Sequence, residues 1–242
     1  MKFRVIAAVF SLCAVMLSGC MISVNGAYGG SVRGRGAYVG RDYDVEEFTN
    51  IDIRGGFELI YRAEDSGVVK LEMYENLFDY AEVSSRGGTL YIATRRNIAG
   101  KHTPRAYVSA QTIERLTVSG AVMMSDADAI ETDSLRIDIE GACHLDISVE
   151  TRDITVYTAG AGSIVLGGAA ETLKLTNDGV GRVDASRLET DDARVVINGV
   201  GSVEVNCLTS LDAEINGLGS LKYWGNPSVS KRVYGLGAIT KA

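Results

Sequence analysis

Glycine returns at a nearly constant interval through the second half of this chain, and no other feature constrains its fold as strongly. The positions are Gly120, Gly141, Gly160, Gly179, Gly199, Gly217 and Gly235, and the intervals between them run 21, 19, 19, 20, 18 and 18. From the third copy onward a second glycine follows two positions later, at Gly162, Gly181, Gly201, Gly219 and Gly237. One motif per copy at a steady period marks a repeat architecture. Around each motif the chain alternates. Leu135, Ile137, Ile139, Gly141, Cys143, Leu145 and Ile147 are spaced by two, as are Leu211, Ala213, Ile215, Gly217, Gly219, Leu221 and Tyr223, with mostly polar residues between. Period two is strand spacing, and nothing in this region repeats apolar residues at helical spacing.

A single copy cannot bury its apolar face. Stacked copies can, because each strand pairs with its equivalents above and below, in parallel and ~4.8 Å apart. The expected fold is all-β: a right-handed parallel β-helix (β-solenoid) with coils of about 19 residues, the hand following the preference of parallel crossovers. Asp178-Gly179, Asn198-Gly199 and Asn216-Gly217 are turn-forming steps that tolerate positive φ, so each glycine pair is expected to make a corner of the coil. The residues between the glycines form a column: Ala121, Ala142, Ala161, Val180, Val200, Leu218 and Leu236. A bend there turns the column inward as core, which is the expectation. Alternation running straight through would leave it an exposed apolar stripe and a candidate contact surface.

The N-terminus has the pattern of an export signal. Lys2 and Arg4 precede an apolar run from Val5 to Leu17, too short to span a ~30 Å bilayer as a helix. It ends in Leu17-Ser18-Gly19-Cys20, similar to a bacterial lipobox, which makes Cys20 the expected site of lipidation. Several acyl chains on one cysteine hold a protein durably to a membrane. Met21 rather than aspartate follows Cys20, a pattern that favours the outer membrane in a Gram-negative host. The domain plan is therefore a leader over 1–19, a lipidated flexible tether over 20–42, and a β-helix over 43–242. Within the last, 43–105 supplies the first coils and the N-terminal cap, and 106–242 the regular repeats. The tether carries Gly26, Gly29, Gly30, Gly34, Gly36 and Gly40. Its Arg33 and Arg35 are expected to be solvated linker residues, with contact to lipid phosphates as the alternative.

Charge excludes one class of partner. The net charge is −7, and loss of Lys2 and Arg4 with the leader makes it −9, which argues against nucleic-acid binding through phosphates. The glycine pairs do not continue into a dinucleotide fingerprint, and no Walker A, Gly-x-Ser-x-Gly or His-Glu-x-x-His pattern is present. Cys143 and His144 are adjacent on a strand and point to opposite faces, so they do not form a metal pair. Cys143 and Cys207 lie three coils apart, roughly 14 Å at strand spacing, beyond the ~7 Å Cα separation that a disulfide bridges. Both are expected to be free thiols. Acids gather between Asp126 and Asp153, including Asp138, Glu140, Asp146 and Glu150. A solvated face is the expectation and calcium binding the alternative. No catalytic, cofactor-binding or metal residues are assigned.

Several motifs in order resemble the head GIN domain family, known by the description "putative auto-transporter adhesin". They are Phe48-x-x-Ile51, Glu75-Asn76-Leu77-Phe78, Gly88-Thr89-Leu90-Tyr91-Ile92, the repeated glycine pairs, and the ending Leu221-Lys222-Tyr223-Trp224-Gly225-Asn226-Pro227. The likeness covers about residues 43–241. It implies a bacterial cell-surface β-helix and brings no catalytic residues with it. Lipid anchor, tether and rigid rod together suggest a non-catalytic cell-envelope binding module or adhesin, held to the membrane by its lipid and taking a cell-surface glycan or protein ligand. The alternative is a structural or envelope-stress scaffold. A polysaccharide-degrading β-helix enzyme is the weaker third possibility, since the even intervals leave no room for a catalytic loop.

Overall fold

A computed structural model describes residues 30–64, 67–125 and 127–242. The leader over 1–19, Cys20 and the first part of the tether lie outside the described residues. Within the described residues seventeen strands follow in order: β1 (Val32–Arg33), β2 (Tyr38–Asp44), β3 (Asn50–Arg62), β4 (Val68–Tyr74), β5 (Ala81–Arg86), β6 (Thr89–Thr94), β7 (Ile98–Ala99), β8 (Arg105–Ser109), β9 (Arg115–Met124), β10 (Ile130–Ile139), β11 (Ala142–Thr158), β12 (Ala161–Asn177), β13 (Val180–Ile197), β14 (Val200–Ile215), β15 (Leu218–Trp224), β16 (Ser228–Val233) and β17 (Leu236–Lys241). A 3-10 helix, Glu75–Tyr80, separates β4 from β5.

The repeats stack as the glycine interval requires. Strands β9 to β17 pair in parallel with their counterparts one coil away, giving a β-solenoid of about seven turns with coils of about 19 residues. The ladder registers glycine on glycine: Gly162 faces Gly181, Gly181 faces Gly201, and Gly201 faces Gly219. Each regular coil has two faces meeting at two corners. In the coil formed by β11, Leu145, Ile147 and Val149 point inward from one face, and Ile154 and Val156 from the other, all essentially buried. One corner is the glycine motif. The other lies near Thr151, with its equivalents near Ala170, Thr190 and Cys207.

The sequence expectation for the glycine corner needs two corrections. The chain does bend at the first glycine, but Gly141, Gly160, Gly179, Gly199, Gly217 and Gly235 do not adopt positive φ, and neither do the Asp and Asn residues before them. Glycine is needed there for a different reason. A Cβ on any of these residues would be driven into the carbonyl oxygen of the glycine one coil back. The coils pack backbone to backbone at this column. The second correction concerns the residues between the glycines. Alternation runs straight through the bend, so Cys143 faces inward, and the second glycines take its register position in the coils that follow. The column from Ala121 to Leu236 faces solvent, with Val180 60% and Leu236 75% exposed. It is the stripe, not the core.

The first coil is formed by β3. It runs parallel to β9, with Gly55 opposite Gly120 and Gly56 opposite Ala121. The first two coils are thus neighbours in space but distant in the chain, and the long segment between them, with β1 and β2, builds the cap over the first coil. There β2, β4 and β8 pair antiparallel, and β5 and β6 form a hairpin. Gly87 and Gly88, at φ 58° and 73°, supply its two-residue turn, which needs positive φ at both central positions. Leu77 and Phe78 of the 3-10 helix enter the same core as Phe57, Leu59, Leu71 and Met73. The folded region also begins earlier than residue 43. β1 and β2 occupy the second half of the expected tether, because β2 can pair with the free edge of β4 and β1 with β7.

Candidate functional site

The cap and the apolar column meet in a groove of about 560 Å³. Its floor is the small end of the column: Gly56, Ala121, Ala142 and Ala161, with Val122 and Cys143 beneath. Alanine and glycine here leave room that the valines and leucines farther along do not. Its wall is the stretch Gly100–Pro104 with Ile98, and Met123 and His144 line it from the repeats. Other hollows are more polar. One of about 380 Å³ lies between Glu47–Thr49 and Ser109–Thr112, and one of about 720 Å³ runs along Glu131–Ser134 beside Arg115 and Arg136.

The wall is firmly held. The Tyr38 hydroxyl donates to the Thr103 carbonyl at 2.9 Å, and the Glu58 N–H donates to the Pro104 carbonyl at 2.8 Å. β1 pairs with β7 just before it. Tyr38, Tyr74 and His102 form an aromatic cluster, with Tyr38 edge-on to Tyr74 at 5.6 Å and His102 5.4 Å from Tyr38. Burial is the main cause raising the Tyr38 pKa above its ordinary value, with Arg105 working against it. The groove therefore combines an apolar floor, an aromatic flank and few polar groups, the composition of a site that takes a ligand by shape and apolar contact.

Among the described residues the two cysteines, Cys143 and Cys207, are unbridged. Cys143 is buried under the groove floor, and its burial pushes the thiol up to about 11. His144 faces outward on the groove rim. Cys207 is fully buried, with its sulfur 2.9 Å from the Ser210 carbonyl. Its pKa is also raised by burial, against hydrogen bonds that lower it.

The acidic run is drawn apart by stacking. Asp138 pairs with Arg136 at 2.7 Å and Arg115 at 3.2 Å, Asp146 with Arg187 at 3.0 Å, and Asp153 with Arg152 at 3.4 Å. Asp128 accepts from the Ala63 N–H at 3.0 Å, and Asp126 lies outside the described residues. Among the described residues no three His, Cys, Asp or Glu side chains converge as metal ligands would. Farther along, Arg182 bridges Asp184 and Glu204, and Asp212 joins Arg194 to Arg232. Burial opposes ionisation of Asp184, yet the Ser186 hydroxyl and N–H and the Arg182 guanidinium hold its pKa below the ordinary carboxylate value.

The sequence identified the alanine–valine–leucine column but placed it inside. It did not identify the groove wall. His102 stood out only as one of two histidines, and nothing local ties residues 98–104 to residues 121–161.

A capped β-solenoid with a solvent-facing apolar column and a walled groove defines the class: a β-helix that presents an apolar stripe and a groove to solvent. Residues 47–227 match the family described as "Putative auto-transporter adhesin, head GIN domain", and the chain belongs to that family. No curated protein matches the sequence. Among solved structures, a "putative adhesin" from Bacteroides fragilis aligns with a TM-score of 0.80 at 24% identity, covering 88% of this chain and all of the other. A "putative lipid binding protein" from Parabacteroides distasonis aligns at 0.61 and 19%, and a "putative adhesin" from Parabacteroides merdae at 0.60 and 16%, each with the same coverage. At these identities the likeness establishes the shared fold.

Proposed function

We propose that this protein is a non-catalytic binding module of the cell envelope, an adhesin-type head tethered to a membrane through a lipid on Cys20. The observation that carries the binding role is the groove of about 560 Å³ between the cap wall and the alanine end of the column. It is concave and apolar, and it is held by backbone hydrogen bonds to a rigid stack. The family to which the chain belongs supports an adhesin-like surface protein. The lipobox-like Leu17-Ser18-Gly19-Cys20 supports export and anchoring.

The test has two parts. Soluble chain carrying Cys20→Ser is screened against a glycan array and against envelope protein extracts. Ala142→Glu and Ala161→Glu place charge on the groove floor at exposed positions, so they abolish capture without lowering the melting temperature. Capture that survives both substitutions would remove the groove from the function. Separately, fatty-acid labelling in cells marks the wild type and not Cys20→Ser, which leaves the membrane fraction. A scaffold role has one observation in its favour. The apolar column continues past the groove through Val180, Val200, Leu218 and Leu236.

A further inference from the structure

The basic residues of the cap are gathered where the chain enters the fold. Residues 30–41 contain Arg33, Arg35 and Arg41 and no acid; residues 95–105 contain Arg95, Arg96, Lys101, His102 and Arg105 and no acid. The β1–β7 ladder, with Val32 opposite Ile98 and Arg33 opposite Ala99, holds the two segments side by side. Asn76 fixes the first of them: its side-chain amide donates to the Arg33 carbonyl at 3.0 Å and accepts from the Arg35 N–H at 2.7 Å.

Some of these bases are already engaged. Arg95 pairs with Glu82 at 3.2 Å and Arg105 with Glu58 at 2.8 Å, while Arg41 lies over Phe78 and Arg96 over Tyr80. The side chains of Arg33, Arg35 and Lys101 are exposed and meet no acid among the described residues. Glu75 lies beside this segment, and its carboxylate accepts from the Ala37 N–H at 3.4 Å. Lys101 stands on the groove wall between the lining residues Gly100 and His102. Charge is also divided along the molecule. Residues 30–105 carry 11 Lys and Arg against 12 acids, and residues 106–242 carry 11 against 19.

We propose that the β1–β7 face is an interaction surface for an anionic lipid bilayer. Arg33, Arg35 and Lys101 meet the headgroup phosphates, and the apolar rim of the groove beside them meets the boundary of the acyl region. Exposed bases next to an apolar groove match a surface that is itself anionic outside and apolar within; a soluble polyanion would leave the groove unmatched. The attraction acts within a Debye length, ~8 Å at physiological salt, so the cap must touch the bilayer. The segment 20–29 reaches at most ~36 Å, so an anchor at Cys20 keeps this face near a membrane. The surface itself does not depend on the anchor.

The full chain with Cys20→Ser is floated with vesicles of phosphatidylcholine, alone or with about a third phosphatidylglycerol. Binding is expected to the anionic vesicles only and to fall steeply as salt rises from ~0.05 to ~0.5 M. Arg33→Ser/Arg35→Ser/Lys101→Ser lowers partitioning about a hundredfold. Arg152→Ser/Lys174→Ser/Lys222→Ser, which removes the same charge from the repeats, leaves it unchanged. Ala142→Glu lowers it several-fold by placing charge on the floor of the groove behind that rim. Circular-dichroism melts verify that each variant is folded. Absent binding, equal binding to neutral vesicles, equal loss in the two triple variants, or no effect of Ala142→Glu overturns the proposal. Glycan or protein capture is measured on the same triple variant, so the failure of one idea does not hide in the failure of the other.

Discussion

A single methyl group separates tolerated from forbidden at the glycine column. Gly179 and Gly199 have neighbouring backbone where a Cβ would stand, whereas Gly56 has nothing within 4 Å of that point and no positive φ. Gly179→Ala and Gly199→Ala are expected to cost about 1–3 kcal/mol each, as overpacked core sites do, and Gly56→Ala close to nothing. Urea titrations of the three variants measure this; similar midpoints would mean that the coils can move apart at little cost. The cysteines make a pH prediction. A free thiol loses its proton near 9.0, and Cys143 in the fold holds its proton to about 11. The folded state therefore binds more protons than the unfolded state above pH 9, and stability falls as pH rises through that window. At neutral pH neither buried thiol is attacked by a disulfide reagent until the chain unfolds, when both react. Rapid labelling of the native protein would show that Cys143 is open to solvent through the groove.

Strand length varies among the coils, and the ladder shows where the difference is taken up. Registers are unbroken across the glycine corner from β12 to β15, and the shifts fall at the opposite corner, between Val165 and Gly167, Ala185 and Glu189, and Thr190 and Asp192. One inserted residue after Ser186 is therefore expected to cost little. One inserted between Gly199 and Val200 flips every following side chain to the other face and leaves the chain aggregated or unfolded. Expression yield and thermal melts of the two insertions separate these outcomes. The same ladder explains what local sequence could and could not reveal. The alternation and the glycine period made β10 to β15 legible, since each coil meets the neighbour that directly follows it in the chain. Gly55-Gly56 was visible as a pair inside an alternating run, yet its place opposite Gly120-Ala121 was not, because most of the cap is inserted between them. The acidic run was legible as a cluster. The ion pairs that Asp138 and Asp146 make with Arg115 and Arg187 were not, because those arginines arrive from other coils.

The two ends of the solenoid are finished differently. The N-terminal coil is covered by an entire folded cap. At the other end β16 pairs with β14 alone and β17 with β15 alone, so both present a free edge. Two lysines stand where the ladder has inward residues one coil earlier: Lys231 opposite Ala213 and Lys241 opposite Tyr223. Lys231 folds over the end of the core, donating to the Ile239 carbonyl at 3.2 Å with its ammonium 5.1 Å from the Tyr223 ring. Lys241 donates to the Asn226 side-chain oxygen at 3.0 Å. Inward charge on an edge strand opposes edge-to-edge pairing. Lys231→Val/Lys241→Val is expected to associate end to end in sedimentation velocity over a concentration series, while the wild type does so far less. Identical sedimentation would assign the protection of this edge to something else.

The amino-acid sequence alone determined the coil and its repeat. Period two sets strands, the glycine period stacks them, and both are local enough to appear in a linear text. Only the tertiary structure decided which way the column between the glycines faces and what stands against it. A bend and a straight alternation are written with the same letters. The direction of a side chain at a corner depends on how closely the neighbouring coil approaches, and the groove wall depends on a cap folded from residues far away in the chain.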